Sequence, residues 1–415
     1  NDPDIIIALD SCHSAQVLSR RAIPLHILLP ESKFEYFVRS IMTTIFFRFI
    51  ATIAASILLI IGSHVAVGAQ SAALRQAKTA AEAKGYLFET NHDEIVAKAQ
   101  KEGKLRFLSS WDAKLMDQMG KALKKKYPFM DVTVGEHGSV ESAQRFLLEL
   151  KAGRGKEWDV ARLYTEFYDQ YTPFLKKFDL RGMAEQNVLA VPPKMVDPQT
   201  RNSIFLTSEP SVVAYNKKLI SVDKVPNTWQ DFLKPEFKGR KFITDIRPLA
   251  LAVLVPAWGM EKVLDFAKKI AAQDPIWVRG HTKPLTSVMA GEYALFLGPN
   301  YGSVAGVQVK DRLGVVGYKI IEPVPLRIHQ ANAVLESAAN AYAGLLLLEF
   351  AASPEGQKII DQYWPLAASV FAPGSHQEQI LKGKTLSIVD AVHYEKLDDY
   401  MDKIVQAYGL PKETK

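Results

Sequence analysis

The residues best suited to chemistry lie in the stretch from Gly291 to Lys310, GEYALFLGPNYGSVAGVQVK. Its short apolar run, Tyr293 to Leu297, predicts a buried strand, and Gly298-Pro299-Asn300 interrupts it. Ligands of open α/β sheets bind just beyond the carboxyl ends of the strands. The residues that follow this strand could equally form a surface loop whose tyrosine covers the core. The first candidates for contact with a solute are therefore the residues after this strand, Asn300, Tyr301, Gly302 and Ser303.

Three polar turns in the first half of the chain follow predicted strands in the same way. They are Ser109 to Asp112, Glu136 to Ser139 and Tyr164 to Glu166. Because parallel strands end at one edge of a sheet, we expect the three turns to face one crevice. Gly138 and Ser139 also begin a predicted helix, where free N–H groups and the helix dipole favour an anion, and Ser139 is a predicted N-cap.

Signatures of catalysis are weak in this sequence. Gly302-Ser303-Val304-Ala305-Gly306 is one position away from the Gly-x-Ser-x-Gly elbow of hydrolases, and no strand immediately precedes Ser303. The sequence has no P-loop, no dinucleotide glycine pattern and no His-Glu-x-x-His motif. The histidines are too scattered to predict a metal site by spacing, so His137 and His329 are solute contacts or polar loop residues. A hydrolase that uses Ser303 stays open as an alternative.

Composition excludes several other classes. The 415 residues carry 51 Lys and Arg against 45 Asp and Glu, a net charge of +6. The only dense basic cluster is Lys124-Lys125-Lys126, which is typical of a solvated helix face, so we expect no nucleic-acid partner. The single cysteine, Cys12, leaves the rest of the chain without a disulfide framework, a thiolate metal site or a cysteine nucleophile.

An export signal is predicted near the N-terminus. Phe49 to Ala69 contains no Asp, Glu, Lys or Arg, follows Arg48, and ends in small residues suited to cleavage before Gln70. We therefore predict a signal peptide over residues 42–69, an upstream extension over residues 1–41, and a mature protein in the periplasm. The alternative is an uncleaved segment that anchors an interaction protein in the membrane.

Beyond residue 103 the chain alternates strands and helices, which predicts parallel sheets covered by helices. Residues 70–103 are rich in Ala, Lys and Glu and predict a helical lead-in. Ile204 to Thr207 and Val212 to Tyr215 read as two strand-like runs separated by Ser208-Glu209-Pro210-Ser211. We expect these runs to leave the first lobe and the Pro-rich passage from Glu322 to Leu326 to return to it.

Several motifs, in this order, resemble those of a known family. They are SSWD (Ser109 to Asp112), GSVESAQRFLLELKAGR (Gly138 to Arg154), VPNTWQDFLKPEFKGR (Val225 to Arg240), AGEYALFLGPNYG (Ala290 to Gly302) and EFAASPEGQ (Glu349 to Gln357). The sequence from about Lys104 to Tyr408 resembles a type II periplasmic solute-binding protein of an ABC importer and is similar to the ferric-iron-binding branch.

The resemblance implies an α/β, two-lobed periplasmic-binding-protein fold of type II, in which each lobe is a mainly parallel sheet flanked by helices and a hinge joins the two. The lobes would span residues 104–206 and 207–320, and residues 321–415 would return to the first lobe and add packing helices. The implied partners are a small solute or metal ion and an inner-membrane ABC permease. We expect a monomer without enzymatic activity.

For the ligand, the resemblance implies ferric iron held with a synergistic anion. Glu166 matches the family's glutamate and Tyr301 the first of its paired tyrosines, so these two are the predicted metal ligands. SSWD lacks the family's histidine, and Gly302 stands at the position of the second tyrosine. Related members take organic anions or phosphonates, and such a pocket could also use Trp111, Tyr215, Arg247, Arg327 and His329.

Overall fold

The computed structural model describes residues 72–364 and 366–410. The predicted signal peptide and the upstream extension lie outside these residues. Among the described helices, none has the length and apolar character needed to cross a bilayer.

Ten strands form the sheet system. Their order is β2-β1-β3-β9-β4-β7-β5-β6, with β8 added to β4 and β10 added to β9. The strands are β1 (Lys104–Ser109), β2 (Asp131–Glu136), β3 (Val160–Leu163), β4 (Ser203–Asn216), β5 (Ile243–Asp245), β6 (Ile276–Val278), β7 (Leu295–Asn300), β8 (Val316–Lys319), β9 (Val324–Val334) and β10 (Leu386–Val389).

The order divides into two halves that share two long strands. In one half β2, β1 and β3 run parallel, and in the other β7, β5 and β6 do. Strands β4 and β9 pair with each other in antiparallel fashion, β9 also borders β3, and β4 also borders β7. Each half is therefore a mainly parallel sheet that ends on the shared pair.

Helices cover the sheets as the alternation predicts. They are α1 (residues 72–82), α2 (His92–Glu102), α3 (Ala113–Lys126), α4 (Val140–Lys151), α5 (Tyr168–Tyr171), α6 (Leu180–Glu185), α7 (Leu249–Ala252), α8 (Val255–Trp258), α9 (Met260–Ala272), α10 (Thr282–Ala290), α11 (Tyr301–Gln308), α12 (Ala341–Ala352), α13 (Pro354–Tyr363), α14 (His376–Leu381) and α15 (Tyr394–Ala407). Ser353 is the N-cap of α13 and accepts from the N–H of Gly356, with Pro354 at the first helical position.

The prediction of two separate runs around Pro210 is wrong, since β4 is continuous from Ser203 to Asn216. Pro210 lies opposite Leu326 of β9, and a register shift follows between Ser211 and Val213, where β4 pairs with β7. A proline has no N–H to donate to a ladder, so it fits the position at which the strand changes neighbours. Pairing with β9 overrides the local signal of a turn.

One buried carboxylate joins three elements of the first half. Asp159, just before β3, is fully buried and accepts the backbone N–H of Arg106 at 2.8 Å and its Nη2 at 3.1 Å. It also accepts the backbone N–H and Nδ2 of Asn340, both at 3.0 Å, just before α12. Burial alone would raise the pKa of Asp159, but these hydrogen bonds hold the pKa below its ordinary value.

Replacing Asp159 with Asn should lower the free energy of unfolding by about 3 kcal/mol, because Arg106 and Asn340 lose a buried anionic acceptor. Denaturant unfolding followed by circular dichroism measures this change. Asp117→Asn is the matched control, since Asp117 is half exposed and pairs with Lys121 on the surface of α3. It should cost less than about 1 kcal/mol. Equal effects of the two substitutions would contradict the structural role of Asp159.

Candidate functional site

A cavity of about 460 Å³ lies where the two halves meet at their shared strands. Residues that follow β3 line it from one half, and residues at or just after the ends of β5, β6 and β7 line it from the other. Glu209 and Arg327 form its wall at β4 and β9, and α15 adds a further side. We call this cavity the cleft. Its lining is Thr165, Glu166, Glu209, Asp245, Arg247, Leu249, His281, Asn300, Arg327, Tyr394, Glu395, Leu397, Asp398 and Met401.

An ion pair stands in the middle of the shared strands. Glu209 of β4 and Arg327 of β9 are opposite each other in the ladder, and Arg327 Nη2 lies 2.5 Å from Glu209 Oε2. Burial alone would lower the pKa of Arg327, but the Glu209 carboxylate raises it. The Arg327 guanidinium therefore remains charged at the wall of the cleft.

The wall built by the second half is organised by Asp245 at the end of β5. Its carboxylate accepts the N–H of Gly280 at 3.1 Å and Nη2 of Arg247 at 3.3 Å. His281 Nε2 lies 3.5 Å from the same carboxylate, while its Nδ1 accepts the N–H of Asn300 at 3.4 Å. The proton of the neutral ring must then be on Nε2, facing Asp245. Burial lowers the pKa of His281, so this neutral form prevails at neutral pH.

The rest of the lining is provided by Glu166 and by α15, which packs on α7 and α9 of the second half. Glu166 is exposed in the short turn after β3, and one of its oxygens accepts the Thr165 hydroxyl at 3.3 Å. Tyr394 anchors the start of α15 by donating its hydroxyl to the carbonyl of Ile328 on β9 at 2.8 Å. Beyond Tyr394, α15 presents Glu395 and Asp398 to the cleft. Five carboxylates therefore line the cleft against the two guanidinium groups of Arg247 and Arg327.

A second cavity of about 560 Å³ adjoins the cleft and shares Glu209 and Asn300 with it. Helices α10 and α11 line it from one side and Trp364 from the other, and it includes Gly302 and Ser303. Asn300 caps α11 by accepting the N–H of Ser303 at 2.8 Å, which holds this turn in place. The turn singled out from the sequence thus borders both cavities.

Glu166, Asn300 and Arg327 line the cleft, as does Arg247. His329 lies two residues from Arg327 on β9 and is half-buried, outside the cleft lining. These placements follow from strand ends and strand alternation. Contact of these residues with a solute stays a prediction.

Trp111 and Tyr215 differ from their predicted placement, because both belong to the core. Trp111 is 2% exposed and meets Phe107 edge to face at 5.6 Å. Tyr215 is 6% exposed and packs over Gly317, where any added Cβ would lie 2.5 Å from the tyrosine ring. Large aromatic rings are stabilised by burial, and neither ring lines the cleft.

Tyr301 also differs from its predicted placement. It is 2% exposed, its phenol oxygen is hydrogen-bonded to His376 Nε2 at 2.6 Å, and the two rings are stacked at 5.7 Å. Tyr318 packs against the tyrosine ring at 5.0 Å, edge to face. Burial raises the pKa of Tyr301, which opposes the phenolate that a metal would need. The structure therefore does not bring Tyr301 and Glu166 together in the cleft.

The turn from His137 to Ser139 lies outside the cleft. His137 is 4% exposed, its Nε2 lies 3.0 Å from the carbonyl oxygen of Arg162, and burial lowers its pKa to about 4. Gly138 and Ser139 are exposed. Ser139 caps α4 through a reciprocal pair of hydrogen bonds with Ser142, which confirms the predicted N-cap. Anion binding at this helix end stays a prediction.

Four parts of the lining were not predicted from the sequence: Glu209, Asp245, His281 and the residues of α15. Asp245 ends β5, so the rule that placed Glu166 could have found it. Glu209 fell within the predicted break in β4. For α15 no local signal exists, because its approach to the cleft depends on contacts with β9, far away in sequence. Among the described residues, no cluster of three or more His, Cys, Asp or Glu side chains is arranged to hold a metal ion.

A two-lobed α/β fold with a polar cleft between the lobes defines the class of solute-binding proteins, as the sequence predicted. Residues 166–393 match the sequence profile of the family described as bacterial extracellular solute-binding protein, and the chain belongs to this family. No curated protein sequence matches the chain.

Solved structures share this fold at low sequence identity. The Trichodesmium protein IdiA (FutA), solved in complex with iron and citrate, is 18% identical, with 74% of this chain and 100% of that chain covered and a TM-score of 0.59. Iron-bound HitA from Pseudomonas aeruginosa is 18% identical, with 74% and 99% covered and a TM-score of 0.53. An ABC transporter substrate-binding protein from Agrobacterium tumefaciens is 20% identical, with 73% and 94% covered and a TM-score of 0.50.

Replacing Tyr301 with Phe should lower the free energy of unfolding by about 1 kcal/mol, because a buried hydrogen bond to His376 is lost. Denaturant unfolding measures it. Tyr400→Phe is the matched control, since no hydrogen bond of the Tyr400 hydroxyl occurs within the described part of the chain, and it should be neutral. If Tyr301→Phe unfolds with the wild-type free energy, the hydrogen bond between the phenol and His376 does not stabilise the fold.

Proposed function

We propose that this protein is a periplasmic receptor that captures a small charged solute between its lobes and delivers it to an ABC permease in the inner membrane. The observation that supports this most is the cleft itself, which receives polar side chains from strand ends of both lobes. Membership of the solute-binding family agrees with it. In this proposal the receptor is a monomer and performs no catalysis.

Closure would follow from differential affinity. A solute that contacts Glu166 in one lobe and Asp245 or Arg247 in the other binds the closed form better, and so shifts the population toward it. The shared strands β4 and β9 are the natural hinge, because both strands run through the two lobes. This supports the division into lobes over residues 104–206 and 207–320, with residues 321–415 returning across the hinge.

Two kinds of solute fit the cleft. The first is a small organic or phosphonate anion, which Arg247 and Arg327 could bind by paired hydrogen bonds. The second is a ferric ion carried with a synergistic anion. Five carboxylates supply the oxygen ligands that a hard cation prefers, and solved structures with this fold hold iron, one of them together with citrate.

A hydrolytic role for Ser303 is less well supported. Ser303 lies in the first turn of α11 and its N–H is used by the Asn300 cap. Within the described part of the chain, no hydrogen bond joins its hydroxyl to a histidine. A nucleophilic serine needs such a base within reach.

The receptor role is tested by producing the full chain in a Gram-negative host and separating periplasm from membranes. We expect a soluble periplasmic protein that begins at Gln70 and carries a bound small molecule in native mass spectrometry. Removing that molecule by partial unfolding and refolding should increase the radius of gyration in X-ray scattering, and returning it should reverse the increase, because the lobes close on the solute.

Other outcomes contradict the receptor role. An uncleaved chain in the membrane fraction would favour the anchored interaction protein. Turnover of ester or phosphate substrates that is lost in Ser303→Ala would favour the hydrolase. The radius of gyration of the solute-free protein could also stay constant with every solute extracted from the periplasm. That result would contradict closure of the lobes on a solute.

The iron candidate is tested by titration calorimetry with citrate and with ferric citrate. If the cleft takes iron through carboxylates, ferric citrate should bind at least tenfold more tightly than citrate, and Glu166→Gln should remove that advantage. Glu141→Gln is the matched control, because Glu141 is exposed on α4, outside the cleft. Tyr301→Phe should keep the advantage, since its phenol is buried against His376.

A visible phenolate-to-iron absorption band that disappears in Tyr301→Phe would show instead that the phenol leaves His376 and binds the metal. Equal affinity for citrate and ferric citrate in the wild type would remove iron from consideration.

A further inference from the structure

Two arginines on neighbouring strands have unsatisfied donors, Arg327 in the cleft lining and Arg162 outside it. Nε of Arg162 on β3 and Nε of Arg327 on β9 are buried, and within the described part of the chain neither has a hydrogen-bond partner. Arg162 is only 8% exposed, and its guanidinium carbon lies 3.7 Å above the ring of Tyr164. Buried donors without partners cost free energy, and such groups are normally satisfied by protein, water or ligand.

Carboxylates satisfy only one of these arginines. Glu209 binds Arg327 at 2.5 Å through Nη2. Within the described part of the chain, Arg162 forms no ion pair with a carboxylate. Glu166 is near enough to affect the pKa of both arginines, but it accepts its hydrogen bond from the Thr165 hydroxyl. The two guanidinium groups of Arg162 and Arg327 are therefore bonded to one carboxylate only, that of Glu209, among the described residues.

Strand β9 also places a histidine beside Arg327. Strands β3 and β9 are neighbours, and His329 lies two residues from Arg327, so both occupy the same side of β9. Burial lowers the pKa of His329, and the charges of Arg327 and Arg162 lower it further. The imidazole is therefore neutral at neutral pH and can add a hydrogen bond between two cations.

From these positions we propose that Arg162, Arg327 and His329 form an anchor for an oxyanion group of the solute, a carboxylate or a phosphonate. The proposal rests on the receptor function and narrows its solute class. Guanidinium groups present paired donors that match such oxyanions, and a cation would be repelled at this wall. The remaining carboxylates of the cleft, Asp245 and Glu395 among them, would then face the other end of the solute.

The Glu209 carboxylate competes with the solute for the guanidinium of Arg327. It occupies one face of Arg327, and a solute oxyanion must either share that guanidinium or displace the carboxylate. Removing the charge of Glu209 should therefore free Arg327 for the solute. We expect loss of Arg327 to weaken oxyanion binding and loss of the Glu209 charge to strengthen it, although both substitutions break the same ion pair.

The anchor is tested by titration calorimetry on the full chain, freed of bound solute, with citrate, methylphosphonate and inorganic phosphate as probes and 1,4-diaminobutane as the cationic control. At least one oxyanion should bind the wild type. Arg162→Gln and Arg327→Gln should each weaken that binding at least tenfold, and Glu209→Gln should strengthen it. The exposed Arg154 supplies the matched control, Arg154→Gln, which should bind as the wild type does.

Binding of citrate alone would identify a carboxylate solute, and binding of methylphosphonate or phosphate a phosphorus oxyanion. If either glutamine variant fails to fold in circular dichroism, Arg→Lys at that position is measured instead. Lysine keeps the charge but loses the paired donors, so binding should still weaken.

Two results overturn the anchor. One is an oxyanion affinity that survives both arginine substitutions, and the other is a wild type that binds none of the three oxyanions. If the molecule carried by the native protein is a cation without an oxyanion, and the lobes still close on it, the receptor function stands and only the anchor fails. If no solute binds and the lobes do not close, both fail.

Discussion

The antiparallel pairing of β4 and β9 is the constraint on which the rest of the structure depends. Each strand belongs to both halves, so the pairing fixes where the lobes meet and in which register. That register places Glu209 opposite Arg327, and the ion pair at 2.5 Å puts two opposite charges at the base of the cleft. Every other cleft residue reaches this point from the end of a strand or from α15.

The sign of the charge excess changes along the cleft, from positive near the shared strands to negative near α15. Near the shared strands the guanidinium groups outnumber the carboxylates bonded to them, because among the described residues Arg327 pairs only with Glu209 and Arg162, outside the cleft lining, forms no ion pair with a carboxylate. Toward α15 the balance is reversed by Glu395 and Asp398. Like charges held together in a partly buried site repel each other unless a ligand or water screens them. A dipolar occupant, negative at the hinge and positive or metal-bearing at its other end, relieves both excesses.

Local patterns in the sequence predicted much of this arrangement. Strand ends identified Glu166 and Asn300, and capping rules identified Ser139, because these features depend on residues within a few positions of each other. Burial of Trp111 could not be predicted, since its ring direction is fixed by packing on Phe107 and its surroundings. Glu209 was missed because pairing with β9 extends a strand through Pro210, and that pairing comes from residues more than 100 positions away.

Tyr301 shows most clearly how a long-range contact changes the chemistry of a position. Resemblance to iron-binding proteins implied a phenolate ligand, yet His376, 75 residues further along the chain, holds the phenol in the core. Burial raises the pKa of Tyr301, so ionising it would require both desolvation and loss of the hydrogen bond. The other charged side chains that line the cleft are carboxylates and guanidiniums. Solute capture by this protein should therefore depend on permanent charges of the cleft rather than on deprotonation of a tyrosine.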